Sequence, residues 1–406
     1  MATKVIHKTY KFRLKPSDDQ REQFARISGV CRLIWNVCLE QRELIYSSRR
    51  KTLNSYNQLP EVTLLRHEYD WIRDVPSQVL QQKVRDLDTA YKNFFEGHAG
   101  FPERKKKGKS PDSFRFPQGF QIDNRRIFLP KIGWVGFFKS QSIKGELRHV
   151  TIARKGKRWF ASICCEIAVP VPSTKEKAVG IDMGIAKLCA TSDGEVTENP
   201  SYFKQYKLKL AKLQRKLARK EKYSRNFNKL KARISALHIK IADARMDHIH
   251  KTTTNIAKNH GMVAIEDLRV KAMSKSAKGT IDNPGRNVQQ KSGLNRAILD
   301  AGWGEFRRQL EYKVAWANGI VVAVDPKNTS RRCSVCGHIA KENRLTQADF
   351  ICVNCGHTDD ADVNAAINIL RAGHAQLACG EIGAARPLYE AGTPKAALPA
   401  FEILVL

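Results

Sequence analysis

The first residues of the chain alternate between polar and apolar side chains in "VIHKTYKFRLK", a pattern that predicts a β-strand ending before Pro16. Ser17 and Gln20 match a capping box, so a helix is expected to begin there. The next apolar positions have helical spacing, and Gly29 leaves open whether the helix is bent or divided. Those positions are Phe24, Ile27, Cys31, Ile34, Trp35 and Cys38. A long amphipathic helix is therefore expected after the strand.

A second amphipathic helix is predicted in "PSQVLQQKVRDLDTAYKNFF", and the two helices define a helical unit over residues 17–96. In residues 97–172 the pattern changes to short strands and turns, with a hairpin about the basic turn Lys155–Lys157. We expect these strands to form a small β-barrel that takes in the N-terminal strand, residues 1–16. The helical unit would then be an insertion in that barrel.

Strands and helices alternate in the second half of the chain. The stretch "KAVGIDMGIAKLCATSDGEV" predicts two strands and a turn at Asp193 and Gly194. Two apolar stripes in the basic region that follows predict a helical hairpin. Its lysines and arginines suggest, as a group, a groove for a phosphate backbone, although each alone fits a solvated helix face. A strand in "GMVAIEDL", a loop over residues 271–293, a helix over residues 303–316 and a strand in "GIVVAVD" complete an α/β domain.

The charge of the chain indicates a polyanionic partner. The 406 residues include 71 lysines and arginines against 40 aspartates and glutamates, a formal net charge of +31. Neutralising phosphates releases counterions and gives tight, salt-sensitive binding, so nucleic acid is favoured over a merely soluble basic surface. The length predicts two to four domains. Because no secretory signal or apolar run of spanning length is found, we expect a cytoplasmic, nucleoid-associated protein without a membrane partner.

Four of the ten cysteines form two near copies of one motif, "CSVCGH" at Cys333–His338 and "CVNCGH" at Cys352–His357. Each C-x-x-C turn presents two thiolates, and two such turns complete a closed tetrahedral zinc site, which indicates a structural rather than a catalytic metal. The expected ligands are Cys333, Cys336, Cys352 and Cys355. Buried free cysteines or a redox dithiol are the alternatives. The two histidines are expected at the surface or behind the ligands.

Three carboxylates lie where an isolated charge is costly. Asp182 interrupts the apolar strand "VGIDMG", Glu266 ends an apolar run, and Asp362 lies where an apolar helix begins. Taken singly, Glu266 could merely end its strand, and Asp362 could be an N-cap or a first-turn charge. Taken together, the three can bind two divalent cations for phosphodiester cleavage. The competing carboxylates are Asp267, Asp359 and Asp360, which alternation and helix phase should aim elsewhere, and Asp325, a turn residue before Pro326.

The order of these motifs resembles that of a known family. "GIDMG", "AIEDL", "TSRRCSVCGH", "CVNCGH" and "DADVNAAINIL" follow one another as in TnpB, the transposon-encoded OrfB of insertion sequences and a relative of compact type V CRISPR effectors. The resemblance extends to the start of the chain through "YKFRLKP", "CRLIWN", "PSQVLQQKVRDLDTAYKNFF" and "GFPERKKKGKSPDSFRFP", so it covers nearly the whole chain to about Arg371. The tail over residues 372–406 departs from the family pattern and is expected to be flexible.

This resemblance implies a multidomain architecture of α+β and α/β parts. The barrel would be wedge-like, and the inserted helices would be a recognition unit. The α/β layer would be a RuvC-like nuclease domain with an RNase H fold, made of residues 173–328 and 358–371. A zinc ribbon over residues 329–357, which binds the target nucleic acid, would interrupt it.

The resemblance also implies an RNA-guided DNA endonuclease of a transposon. Asp182, Glu266 and Asp362 match the family's catalytic positions and would bind magnesium or manganese, and the protein would cut double-stranded DNA beside a short target-adjacent motif. Its partner would be a guide RNA from the transposon end, in a ribonucleoprotein with one protein chain. The intact carboxylates argue against a silent RNA-guided repressor, and the resemblance argues against a transposase that joins DNA itself. A compact CRISPR effector remains an alternative, and only the genomic DNA beside the gene distinguishes it from a transposon protein.

Six side chains are candidate nucleic-acid contacts. A basic run between Phe101 and Phe114 suits a phosphate backbone, unless it is a disordered charged loop. Its lysines are Lys105, Lys106, Lys107 and Lys109. Gln78 and Gln82 lie off the apolar face of their helix, and glutamine can bond adenine bidentately in a major groove. Each glutamine alone fits an ordinary surface residue, but the resemblance places the reader of the target-adjacent motif in this region.

Overall fold

The computed structural model describes residues 3–171, 175–344 and 346–379 of the chain. They form two compact units, Thr3–Val169 and a second unit that begins at Pro170. Among the described helices, none combines the length and the apolar character that a membrane span requires. Residues 380–406, which include most of the predicted flexible tail, lie outside the described residues.

The N-terminal unit contains a seven-stranded sheet. Its strands are β1 Thr3–Lys15, β2 Ser113–Phe116, β3 Gln121–Asp123, β4 Arg126–Leu129, β5 Gly133–Phe138, β6 Glu146–Lys155 and β7 Arg158–Pro170. Their order is β2-β6-β7-β1-β5-β4-β3, so β1 lies inside the sheet as predicted. The predicted hairpin is confirmed as β6 and β7, with Gly156 at a φ of 61° between them.

The predicted small β-barrel is found as a curled half-barrel: its sheet is open, with β2 and β3 at the two edges. Helices cover the apolar side that a closed barrel would turn inward. Phe24, on the first helix of this unit, lies with its ring centroid 5.7 Å from that of Phe114 on β2 and 5.0 Å from that of Trp159 on β7. One core is therefore shared by helices and sheet.

Four helices lie between β1 and β2 in the chain: α1 Asp18–Arg49, α2 Ser55–Glu68, α3 Asp70–Arg73 and α4 Ser77–Phe95. The capping box that begins α1 is confirmed, and the helix continues without a break through Gly29. Helices α1 and α4 were predicted, whereas α2 and α3 were not. In α2 the buried residues include the polar Ser55 and Gln58, and Pro60 lies inside the helix, so no apolar stripe marked it.

The second unit contains a five-stranded sheet. Its strands are β8 Ala178–Asp182, β9 Lys187–Thr191, β10 Val196–Glu198, β11 Met262–Glu266 and β12 Ile320–Val324. Their order is β10-β9-β8-β11-β12, with β8, β11 and β12 parallel and β9 antiparallel to both of its neighbours. The two strands predicted in this stretch are β8 and β9, and the predicted turn at Asp193 and Gly194 leads into β10, which begins at the last residue of the stretch. Strands and helices alternate here as expected for an α/β layer.

The helices of this unit are α5 Tyr202–Ala218, α6 Arg225–Asn259, α7 Val270–Met273, α8 Val288–Ala301, α9 Trp303–Trp316 and α10 Ala361–Ala378, and a small hairpin of β13 Asp349–Ile351 and β14 Thr358–Asp360 precedes α10. The predicted helical hairpin is α5 and α6, which pack through Leu210 and Ile241. Helix α8 begins inside the predicted loop over residues 271–293. It tolerates Gly293, at which a Cβ would meet only open space.

Helix α10 lies unusually close to the sheet. A Cβ on Gly180 of β8 would lie 2.0 Å from the carbonyl oxygen of Ala366, and one on Gly373 would lie 2.7 Å from Cβ of Ala264 on β11. Only glycine at both places allows this approach. The helix runs past the predicted boundary at Arg371, and the close packing fixes its first turn relative to the ends of the strands.

Candidate functional site

Asp182 and Glu266 end neighbouring strands of the second unit. Strands β8 and β11 are parallel, and Ile181 pairs with Ile265, so the two carboxylates that follow leave the same edge of the sheet. Glu266 is buried, with 9% of its surface exposed, and Asp182 is half-buried. The apolar residues before them fix this register, because a slip by one residue would turn the whole strand over.

Asp362 reaches the same place from the first turn of α10. Asp360 is the N-cap, and its Oδ1 accepts hydrogen bonds from the backbone N–H groups of Asp362 at 3.0 Å and Val363 at 3.3 Å. The charge of Asp362 acts on Asp182, as does that of Glu266. The three predicted carboxylates are thus brought together by two strand ends and one helix start.

The electrostatics of the three carboxylates differ. No ion-pair partner of Asp182 or Glu266 is found in the described part of the chain, whereas Asp362 has two. Burial, and then the charges of Glu266 and Asp362, raise the pKa of Asp182 to about 7. Burial also raises the pKa of Glu266, against a hydrogen bond from Thr329 that lowers it. Buried carboxylates that repel one another are typical of a site that takes up a cation.

Two basic side chains that the sequence analysis did not select pair with Asp362. Arg344 Nη2 lies 3.2 Å from Oδ1, and Lys187 Nζ lies 3.6 Å from Oδ2 and 2.7 Å from Oδ2 of Asp360. Lys187 begins β9 and Arg344 lies between the cysteine motifs, so no local pattern links either one to the carboxylates. Only the fold brings them to the site.

Thr329 connects Glu266 to the segment that carries the cysteines. Its Oγ1 donates a hydrogen bond of 2.6 Å to Oε1 of Glu266. Asn368 Nδ2, on α10, donates to the carbonyl oxygens of Thr329 at 3.0 Å and Arg332 at 2.7 Å. Asn364, one turn earlier, donates to the same Arg332 oxygen at 2.9 Å. The start of the cysteine segment is therefore tied to the helix that carries Asp362.

The competing carboxylates have local partners. Asp267 lies 2.5 Å from Arg307 Nη1, and Asp359 accepts a hydrogen bond of 2.8 Å from the Asp360 N–H through Oδ1. Asp325 Oδ1 accepts one of 3.0 Å from the Lys327 N–H, which confirms that it begins a turn before Pro326. None of these contacts requires a cation.

The four predicted cysteine ligands converge. In the described residues they are the one set of metal-ligating side chains whose ligand atoms all lie within 4.8 Å of one another, so the three carboxylates are spaced more widely. Cys333 Sγ lies 3.7 Å from Cys355 Sγ, and Cys336 Sγ lies 3.6 Å from Cys352 Sγ. A tetrahedron with Zn–S bonds of about 2.3 Å has an S–S edge of about 3.8 Å, so the set fits such an ion.

Backbone hydrogen bonds form the two cysteine turns. The N–H of Cys333 donates to the His338 carbonyl at 2.9 Å, and that of Cys352 donates to the His357 carbonyl at 2.8 Å. Each turn passes through a glycine in the left-handed region, with φ values of 76° and 71° at residues 337 and 356. Neither histidine belongs to the ligand set.

The basic run between Phe101 and Phe114 contacts α1 through Lys105. Lys105 exchanges two hydrogen bonds with the side chain of Asn36, of 2.7 and 3.0 Å. Its Nζ lies 3.4 Å from the ring centroid of Trp35, and burial lowers its pKa to about 7. The other three lysines of the run are exposed: Lys106, Lys107 and Lys109.

The two glutamines on α4 are partly buried. Gln82 Nε2 donates a hydrogen bond of 3.1 Å to Asp86 Oδ1. Gln78 Oε1 is buried and has no hydrogen-bond partner among the described residues. A base contact by either one would require its side chain to turn outward.

Three family models match the chain. The OrfB model of IS605, described as "Probable transposase", matches residues 162–277, and a model described as "Cas12f1-like, TNB domain" matches residues 303–369. A model described as "Helix-turn-helix domain" matches residues 1–51. The described residues of that last range form β1 and the single helix α1.

Similar proteins match over nearly the whole length. InsQ of Escherichia coli (strain K12), named as an RNA-guided DNA endonuclease, is 47% identical over 95% of this chain and 97% of its own. A protein of Streptomyces pristinaespiralis with the same kind of name is 34% identical over 93% of this chain and 92% of its own. A cryo-EM structure of a Cas12f1-sgRNA-target DNA complex matches in fold, with a TM-score of 0.53 and 16% identity over 90% of this chain and 98% of that one.

Proposed function

Because the chain belongs to the OrfB (TnpB) family of transposon-encoded proteins, we propose that it is an RNA-guided DNA endonuclease that cuts target DNA beside a short motif. A guide RNA would be bound by one chain, and double-stranded DNA would be the substrate. The observation that carries the proposal is the meeting of Asp182, Glu266 and Asp362 in a protein with a net charge of +31.

We propose that these three carboxylates are the catalytic residues and hold magnesium. Oxygen donors of this kind suit Mg²⁺, and the burial of Asp182 and Glu266 without ion pairs in the described part of the chain favours a cation between them. Two-metal sites hold their ions about 4 Å apart, which suits the wide spacing of the three side chains. When bound, magnesium supplies an activated water and charge stabilisation for the leaving oxygen.

The chain's own part is to hold these oxygens in place. Strands β8 and β11 fix the backbone of two carboxylates by register, and the close contact at Gly180 fixes α10, which carries the third. Lys187 and Arg344 offset the charge of Asp362 before a metal enters. They are also cations within reach of a bound phosphate at that position.

We also propose that the second unit is a RuvC-like domain with an RNase H fold, interrupted over residues 329–357 by a zinc ribbon held by the four cysteines. Support comes from the sheet order β10-β9-β8-β11-β12, with carboxylates at its parallel strand ends, and from S–S distances of 3.6 and 3.7 Å. The N-terminal unit would be the wedge, with residues 17–96 as the recognition insertion.

The endonuclease proposal predicts cutting that depends on both guide and magnesium. We expect the protein, purified with the RNA transcribed from its flanking DNA, to linearise a plasmid that carries a matching target. The measurement is gel analysis of plasmid cleavage with and without Mg²⁺ and with a non-matching target. Guide-dependent binding without cutting would instead favour the silent repressor, and cutting in a magnesium-free buffer would contradict the proposed chemistry.

We propose that the exposed lysines of the basic run contact an RNA or DNA backbone, whereas Lys105 is committed to Trp35. Replacing Lys106, Lys107 and Lys109 by Ala should weaken binding of the guide RNA and lower the slope of log affinity against log salt by about 2 to 3, since each phosphate contact contributes about 0.7–0.9. Fluorescence anisotropy at several salt concentrations measures this.

The matched control is Lys105→Met, which removes one charge from the same run but one that is stacked on a ring. We expect this variant to keep the wild-type salt dependence. A triple variant with an unchanged slope, or a larger loss in the control than in the triple variant, contradicts the assignment.

Gln78 and Gln82 remain proposed base contacts, and Gln78→Ala should change the preferred target-adjacent motif in a plasmid-library cleavage assay rather than guide binding.

A further inference from the structure

We propose that Thr329 is a positioning residue for the metal site: its hydroxyl fixes Glu266 so that one carboxylate oxygen is engaged and the other is presented to the cation. The inference rests on the proposed function of that site. The contact that carries it is the hydrogen bond of 2.6 Å from Thr329 Oγ1 to Glu266 Oε1. Thr329 itself is buried, with 7% of its surface exposed.

The hydroxyl has one proton to donate and two acceptors nearby. The Pro326 carbonyl oxygen lies 3.1 Å away, whereas Glu266 Oε1 lies 2.6 Å away and carries charge. Hydrogen bonds to an ionised acceptor are shorter and stronger than those to a neutral one, so the proton belongs on the Glu266 side. Oε1 is thereby occupied, and Oε2 is the oxygen that no described side chain engages.

Thr329 is held in turn by the helix that carries another carboxylate of the site. Asn368 donates to the Thr329 carbonyl at 3.0 Å, and Asn368 and Asn364 both donate to that of Arg332. Both asparagines are buried on α10, which begins beside Asp362. Hydrogen bonds through Thr329 therefore connect Glu266 on β11 to α10, the helix that carries Asp362.

Partners of this kind commonly matter for metal binding. A hydrogen bond to a ligating carboxylate fixes its orientation, and removing such a partner typically weakens metal affinity about 10- to 100-fold. The competing explanation is that Thr329 only fills space at the start of the cysteine segment. The two explanations differ in whether the hydroxyl or the methyl group of the side chain is needed.

The experiment compares Thr329→Val, which keeps the shape and loses the donor, with Thr329→Ser, which keeps the donor and loses the methyl group. Manganese alone is titrated into the full, zinc-loaded chain, and free Mn²⁺ is counted by electron paramagnetic resonance. We expect affinity to fall about tenfold in the Val variant and to stay within about twofold of wild type in the Ser variant. The magnesium concentration for half-maximal target cutting should rise in parallel, with guide binding and melting temperature unchanged.

Equal manganese affinity in the Val variant and wild type overturns the proposal, as does a Ser variant as weak as Val. A lower melting temperature of the Val variant with unchanged affinity assigns Thr329 to packing and also overturns it. Wild-type protein that binds no manganese overturns the metal site as well, whereas wild-type binding with unaffected variants overturns only the role of Thr329.

Discussion

Asp182→Asn is expected to abolish cutting of a matched target by the guide-loaded protein while guide binding persists. The amide has nearly the shape of the carboxylate but lacks the charge that would hold a cation between β8 and β11. Metal ions contribute several kcal/mol to such transition states, and each 1.4 kcal/mol is a factor of ten, so a loss of about a thousandfold or more is expected. Plasmid cleavage and guide-RNA anisotropy measure the two properties on the same sample.

The same substitution should stabilise the protein in a magnesium-free buffer. The folded-state pKa of Asp182 is raised to about 7, above the usual value of 3.8, so the folded chain keeps a proton that the unfolded chain has lost between these values. The free energy of unfolding therefore falls as the pH rises from about 4 to about 7, and at pH 8 the ionised side chain costs about 4 kcal/mol. Asparagine removes that cost. Thermal melts at pH 8 measure it, and added Mg²⁺ should stabilise wild type more than the variant.

Asp267→Asn is the matched control for Asp182→Asn. It neutralises a carboxylate next to Glu266 in the chain, but one that is exposed and paired with Arg307. We expect this variant to cut at close to the wild-type rate. Full cutting by Asp182→Asn, or a melting temperature well below that of wild type, would return Asp182 to a structural role.

Cys352→Ser is expected to remove the metal from the four-cysteine set and to disorder the segment that depends on it. The sulfur of Cys352 is buried and belongs to a closed set, so three thiolates would be left without a complete shell. In isolated zinc-finger peptides, binding of the structural zinc contributes about 10–16 kcal/mol to folding. This segment includes Thr329, which contacts Glu266, and Arg344, which contacts Asp362. Disorder of the segment should therefore disturb the carboxylate site, so cutting should fall together with the metal content.

Metal analysis by mass spectrometry and limited proteolysis between the two cysteine motifs measure these effects. The control is Cys379→Ser, which removes an exposed thiol outside the ligand set and should leave both unchanged. A Cys352→Ser protein with wild-type resistance to proteolysis and wild-type cutting contradicts a structural metal.

Local patterns carried the prediction wherever the signal lay within a few residues. The capping box at Ser17, the apolar face of α1 and the paired C-x-x-C turns follow from contacts three or four residues apart, and they are found as predicted. The predicted barrel is only a half-barrel, because helices cover the apolar side of the open sheet. Helix α2 was missed because it buries polar residues.

The candidate site divides in the same way. Three carboxylates could be selected from the sequence: Asp182, Glu266 and Asp362. Each is a charged residue among apolar neighbours in the sequence, and burying an unpaired charge is costly. That they meet was only a hypothesis until the parallel register of β8 and β11 and the position of α10 were known. No comparable sequence signal distinguishes Thr329, Lys187 and Arg344, because a polar residue in a polar segment is common.

The sequence alone thus determined which residues could carry the chemistry, from charge, spacing and motif order, because burial costs and metal-ligand spacings act over short stretches of chain. The tertiary structure decided which of them share a site and how the site is held. Glu266 meets Thr329 across 63 residues, and Lys187 meets Asp360 across 173. Such contacts are set by strand register and by helix packing at Gly180, which are properties of the whole fold rather than of any segment.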